Sequence, residues 1–150
     1  MNNKSEIPNE QLGYLLTQVS FLKQRITNAA LKELDITYVQ FVILAGTLEL
    51  GADGNIVTQQ SIASERRLDK AMVSNVVKTL IEKGFLTREE HPEDKRAFTL
   101  RLTPAGEKKA IQGKAIARKV DETFFAGIDQ EAFRESLKQL LKNESSTYGE

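Results

Sequence analysis

Residues 58–104 read TQQSIASERRLDKAMVSNVVKTLIEKGFLTREEHPEDKRAFTLRLTP, and this stretch decides the fold. Thr58 is placed to cap a short helix through about Glu65, and Asp69 to cap the next, Lys70 to Lys83, with Gly84 as its C′ residue. Only Arg66 to Leu68 lie between the two, so the chain must turn tightly. Two helices joined this way form a helix-turn-helix, whose second helix enters the major groove. Val73, Val76, Val77, Leu80 and Ile81 give that helix an apolar face. The opposite face carries Lys70, Ala71, Ser74, Asn75 and Lys78. These are small or hydrogen-bonding side chains with two cations, and no large apolar group obstructs a groove. Ser74 and Asn75 suit base edges, and Lys78 suits a phosphate or a guanine. The helix N-terminus itself favours phosphate.

After Gly84 the pattern changes to strands. Phe85-Leu86-Thr87-Arg88 and Ala97-Phe98-Thr99-Leu100-Arg101-Leu102 flank a turn-rich tip, His91-Pro92-Glu93-Asp94-Lys95, and together predict an antiparallel hairpin. Arg88, Lys95 and Arg96 cluster towards its tip, with Arg101 further along. An arginine at a hairpin tip suits the narrow, electronegative minor groove. Asp94 is placed to hold Arg96 by a charge-assisted hydrogen bond; an exposed ion pair of little worth is the plainer alternative. From Arg66 to Arg101 there are nine basic and six acidic residues. The excess is modest, so the placement of the cations carries the argument. His91, beside Pro92 in a turn, reads as structural or idle.

Working outward, Leu12, Leu15, Leu16, Val19, Leu22, Ile26, Ala29 and Ala30 recur at helical spacing and predict one helix from Asn9 to Leu34, with Pro8 at its start. A second helix, Thr37 to Leu50, is apolar nearly all round and therefore buried. Gly51 to Asn55 is a loop, and Ile56-Val57 allows one very short strand. Beyond the hairpin, Thr103-Pro104 opens a helix to about Ala126, with Ile111, Ala115, Ile116, Val120, Phe124 and Phe125 on one face. A last helix, Gln130 to Lys142, shows Phe133, Leu137, Leu140 and Leu141, and the polar tail from Asn143 is expected to fray. The fold class is mainly α, a winged helix-turn-helix. The wide apolar faces of the terminal helices, Leu12 to Ile26 and Phe133 to Leu141, need a partner surface; a core shared with a second copy of the chain is expected, a cofactor-binding face being the alternative.

Composition removes other classes. The chain has 150 residues, 40% of them hydrophobic, enough for a core at this length. The formal charges cancel, which leaves clustering of cations to decide nucleic-acid binding. There is no cysteine, hence no disulfide, thiolate metal site or thiol sensor, and a single histidine makes a histidine-rich metal site impossible. Asp53-Gly54-Asn55 lacks the spacing and terminal glutamate of a calcium loop. No metal and no cofactor is expected. Neither a membrane span nor an apolar leader is visible, so a soluble cytoplasmic protein is the expectation. No nucleophile-base pair or phosphate loop appears, so an enzyme is not expected. Lys108, Lys109, Lys114, Arg118 and Lys119 read as a solvated face of a dimer-frame helix, a second DNA patch being the lesser alternative.

At several segments the chain resembles the MarR family of transcriptional regulators. Leu34-Asp35-Ile36-Thr37-Tyr38-Val39-Gln40-Phe41 is similar to the family's entry into its second helix, and Ser61-Ile62-Ala63 to the first helix of its DNA-binding pair. Leu80-Ile81-Glu82-Lys83-Gly84-Phe85-Leu86-Thr87-Arg88 is similar to the exit into the wing. Asp94-Lys95-Arg96 and Leu102-Thr103-Pro104-Ala105-Gly106 resemble the wing signature and the entry to the next helix. The resemblance implies one domain over 1–150. Within it, residues 37–103 form the DNA-binding lobe and residues 8–34 and 104–144 a helical dimerisation region. It also implies a homodimer on a pseudo-palindromic operator in double-stranded DNA, usually as a repressor. The expected DNA-binding residues are Ser61, Lys70, Ala71, Ser74, Asn75, Lys78, Arg88, Asp94, Lys95 and Arg96. A small aromatic or amphipathic effector is expected between frame and lobe. Tyr14 and Tyr38 are candidates to line its pocket, a core position with a satisfied hydroxyl being an equal reading. Members that sense peroxide through cysteine are not the pattern here. The competing class is a winged helix that binds another protein and not DNA.

Overall fold

The computed structural model describes residues 11–146; the expected helix start at Pro8 and Asn9 and the last four residues of the tail lie outside them. The chain runs α1 (Leu12–Leu31), a 3-10 turn (Lys32–Leu34), α2 (Tyr38–Leu50), α3 (Gln59–Arg66), α4 (Lys70–Glu82), β1 (Leu86–Glu90), β2 (Phe98–Leu102), α5 (Pro104–Phe124), α6 (Gln130–Leu141) and a final turn, Asn143–Ser146.

α1 stops three residues short of the expected end because Asp35 adopts the left-handed conformation, φ 55°. The carbonyls freed there are met by two lysines. Lys109 Nζ donates to Leu34 O at 2.7 Å and Lys83 Nζ to Asp35 O at 2.9 Å. Such orphan carbonyls need partners at any helix end. α2 begins with a capping box: Thr37 Oγ1 accepts the Gln40 N–H at 3.1 Å, and Gln40 Oε1 accepts the Thr37 N–H at 3.0 Å. As its composition predicts, α2 is the central helix, with Gln40, Phe41, Ile43, Leu44, Ala45, Gly46 and Thr47 buried.

The main core gathers Ile43 and Leu44 of α2, Ile62 of α3, Val73, Val77 and Leu80 of α4, Leu86 and Leu100 of the hairpin, and Ala110 of α5. Val76 and Ile81 pack against it partly buried. A second cluster, Leu31, Ile36, Phe41 and Ala45, joins α1 and α2 to Ile116 and Ala117 of α5. α5 thus packs on both clusters.

β1 and β2 pair antiparallel from Leu86↔Leu102 to Glu90↔Phe98. β1 starts one residue later than expected because Phe85 is already engaged. Its N–H donates to Leu80 O at the end of α4, and its carbonyl accepts from Thr103. The short strand expected at Ile56-Val57 is reduced to a bridge: Thr58 pairs with Thr99, and Leu100 N–H donates to Val57 O at 2.8 Å. That bridge fastens the wing to the start of α3.

Candidate nucleic-acid interface

Local rules set the angle between α3 and α4. Thr58 and Ser61 form a reciprocal capping box at the start of α3. At its end Arg67 takes φ 53°, a left-handed residue that reverses the chain, and Leu68 N–H donates back to Ala63 O. Asp69 then caps α4 by accepting the Met72 N–H at 2.9 Å. α4 ends on Gly84 at φ +80°, a conformation glycine adopts without steric cost.

The resulting α4 presents the expected two faces. Val73, Val77 and Leu80 are buried, while Lys70, Ala71, Ser74, Asn75 and Lys78 are all exposed. No hydrogen bond within the chain occupies the side chains of those five residues among the described contacts.

Ser61 is differently placed. It is half-buried, and its hydroxyl accepts the Thr58 N–H at 2.9 Å and donates to Thr58 O at 2.9 Å. A contact with DNA would have to share that oxygen.

The wing tip is built by two side chains. His91 Nδ1 accepts the N–H groups of Glu93 and Asp94 at 3.0 and 3.1 Å. Asp94 Oδ1 accepts the Arg96 N–H at 3.0 Å and lies 3.5 Å from its Nε. His91 is therefore structural, as one of the two sequence readings has it. Arg96 projects from this turn with its side chain 94% exposed, and Lys95 is exposed beside it. Arg88 lies lower on the wing. Its Nη2 donates to Gln59 Oε1 of α3 at 3.0 Å, and its guanidinium sits 5.3 Å from the centre of the Phe98 ring. It braces wing against helix as well as presenting charge.

Between α1, α2, α3, α5 and α6 lies a cleft of about 710 Å³, lined among others by Lys23, Tyr38, Phe41, Arg66, Lys114 and Arg118. Tyr38 is on this wall; Tyr14 is not, and stands 45% exposed on α1. The sequence reading missed the charged cluster at the cleft's edge. Glu49 of α2 accepts from Arg66 Nη2, and its other oxygen lies 3.1 Å from Lys114 Nζ of α5. Burial raises the tendency of Glu49 to protonate, but the hydrogen bonds from Arg66 and Lys114 and their charges outweigh it, so its carboxyl titrates below the usual range.

α1 leaves an apolar face uncovered: Leu15, Leu16, Val19 and Leu22 are each more than 40% exposed, and Phe21 is 63% exposed. Leu140 and Leu141 of α6 are equally open. Among the described residues, no helix is long and apolar enough to cross a membrane, and no cluster of acidic or histidine side chains is arranged to hold a metal.

Known proteins share this architecture. The sequence model of the MarR family matches residues 36–98. The chain is 41% identical over 144 residues, 95% of its own length and 98% of the relative's, to the uncharacterized HTH-type transcriptional regulator YdcH of Bacillus subtilis. It is 32% identical over 108 residues, 71% of its length and 72% of the relative's, to the multiple antibiotic resistance protein MarR of Salmonella typhimurium. Among solved structures, the Staphylococcus aureus MepR–DNA complex superposes with a TM-score of 0.78 at 25% identity, covering 91% of this chain and 98% of that one.

Proposed function

This chain belongs to the MarR family of DNA-binding transcriptional regulators, which are not enzymes, and on that premise we propose that it is a homodimeric repressor released from a pseudo-palindromic operator by a small effector. The observation that carries the reading is the face of α4. Ser74, Asn75 and Lys78 stand exposed on a capped helix, with Arg96 projecting from the adjoining wing. Ser74 and Asn75 read base edges in the major groove, Lys70 and Lys78 hold phosphates, and Arg96, oriented by Asp94, enters the flanking minor groove. Lys95 and Arg88 add backbone contacts. MepR, seen with DNA, has the same fold.

The exposed leucines of α1 and α6 support the dimer, because a face this apolar is stable only when covered. Two copies related by a twofold axis place two recognition helices in successive major grooves, about ten base pairs apart or a multiple of it. Residues 37–103 act as the DNA-binding lobe, and the helices before and after it as the frame. The cleft beneath Tyr38 and Phe41 has room for a small amphipathic molecule and touches both parts. A ligand bound there shifts the balance between arrangements of the two lobes.

Titration with duplex DNA at rising salt tests this. Each phosphate contact releases counterions, so affinity falls steeply with salt. A salt-insensitive interaction, or none with DNA, would instead favour a winged helix that docks on protein.

A further inference from the structure

Arg66 is the last residue of α3, immediately before the left-handed turn at Arg67 and three residues before the cap of α4. Its side chain runs back onto α2 and not towards α4. α2 makes room for it with Gly46, a buried glycine inside a helix, where glycine weakens the element it sits in. A Cβ at Gly46 would lie 3.2 Å from Arg66 Nε. One turn further along α2, Glu49 takes Arg66 on one carboxylate oxygen and Lys114 of α5 on the other. Arg66 Nε is 2.7 Å from Glu65 Oε2, yet it is buried without a well-directed hydrogen bond. Glu65 lies on α3 itself, so the contact that ties the guanidinium to another helix is the one with Glu49. Glu49 and Lys114 also form the wall shared by the cleft described above and a second one, about 810 Å³, behind the wing.

We infer that Glu49 is a positioning residue for DNA binding: by clamping Arg66 to Lys114 over the seat at Gly46, it fixes the angle at which α3, and with it α4, stands on α5. This rests on the DNA-binding reading above. Packed elements of this kind hold discrete arrangements and do not bend continuously. Removing the carboxylate, or lifting Arg66 off α2 with a methyl group, frees the pair to adopt angles that do not fit the duplex.

The absence of cysteine allows a clean test. Cysteines introduced at the exposed positions Ser64 and Gln112 carry a spin-label pair reporting the α3–α5 distance, with labelled chain diluted into unlabelled chain. Glu49→Gln and Gly46→Ala should each broaden that distance and weaken duplex binding at fixed salt by about five- to tenfold. Gly46→Ala should do so without lowering the melting temperature, since alanine strengthens the helix. The double variant should be no worse than the weaker single, because both act on one contact. Unchanged distances and affinities in both variants, with the parent chain binding DNA, would overturn the clamp alone. A parent chain that fails to bind duplex would overturn the functional reading and the clamp with it.

Discussion

Gly106 of α5 sits against the carbonyl of Phe85 so closely that a Cβ on Gly106 would lie 1.9 Å from that oxygen. Thr103 completes the joint. Its hydroxyl donates to Gly84 O at 2.6 Å and accepts the Gly106 N–H at 3.0 Å, while its own N–H reaches Phe85 O at 3.1 Å. Three elements, α4, the wing and α5, meet at this point. Gly106→Ala is expected to destabilise the chain by about 2–3 kcal/mol, since the obstacle is backbone and overpacking is costly. The gain in helix propensity, about 1 kcal/mol at most, does not offset it. Urea unfolding should show a lower midpoint with an unchanged slope.

The uncovered face of α1 makes a different demand. Leu16 is 49% exposed amid Leu15, Val19 and Leu22. Leu16→Asp should shift the chain from dimer to monomer in sedimentation velocity at micromolar concentration. A dimer that survives this change would place the interface elsewhere.

Glu49 gives the stability a pH dependence whose sign is fixed. Its carboxyl titrates below its ordinary value of 4.5 in the folded chain. Its contribution is therefore complete above that value and is lost as pH falls through the folded-state value. The parent chain should melt above Glu49→Gln by a constant margin from about pH 6 to 8, and the margin should close on acidification below about pH 5. The margin is small, because the side chain is 43% exposed and water screens the pair.

Arg96 carries the wing's part of the account. With its side chain projecting into solvent and, among the described residues, fastened only to Asp94, it contributes almost nothing to folding. Arg96→Ala should leave the melting temperature and the dimer intact. It should weaken operator binding about tenfold and lower the salt slope by about one ion. Gel-shift titrations at several salt concentrations check both.

Most of the fold was legible because local signals agreed with one another. Caps at Thr37, Thr58, Asp69 and Thr103, glycine at position 84 and the apolar spacing of α4 each mark a boundary or a face without reference to distant residues. Helix and strand ends moved where a terminal group had a tertiary or capping duty: Asp35 turning left-handed, Phe85 serving both α4 and Thr103. Of the site, the exposed face of α4 and the Asp94–Arg96 pair follow from spacing alone. The engagement of the Ser61 hydroxyl with Thr58 follows from the same capping rule. The Glu49 cluster was not legible. Its partners lie 17 and 65 residues away, and no periodicity links a carboxylate on a buried helix to a guanidinium on the next. Tyr14 and Tyr38 look alike in sequence; only the packing of α1 and α2 separates the one on an open face from the one on the cleft wall.

The most direct test of the central claim, that the open side of α4 reads a duplex in a twofold-symmetric pair, is selection of bound sequences from random double-stranded DNA. The account predicts enrichment of an inverted repeat with half-site centres about ten base pairs apart or a multiple of it, and loss of that enrichment with Asn75→Ala. A pool that stays random, or an enrichment indifferent to Asn75, would contradict it.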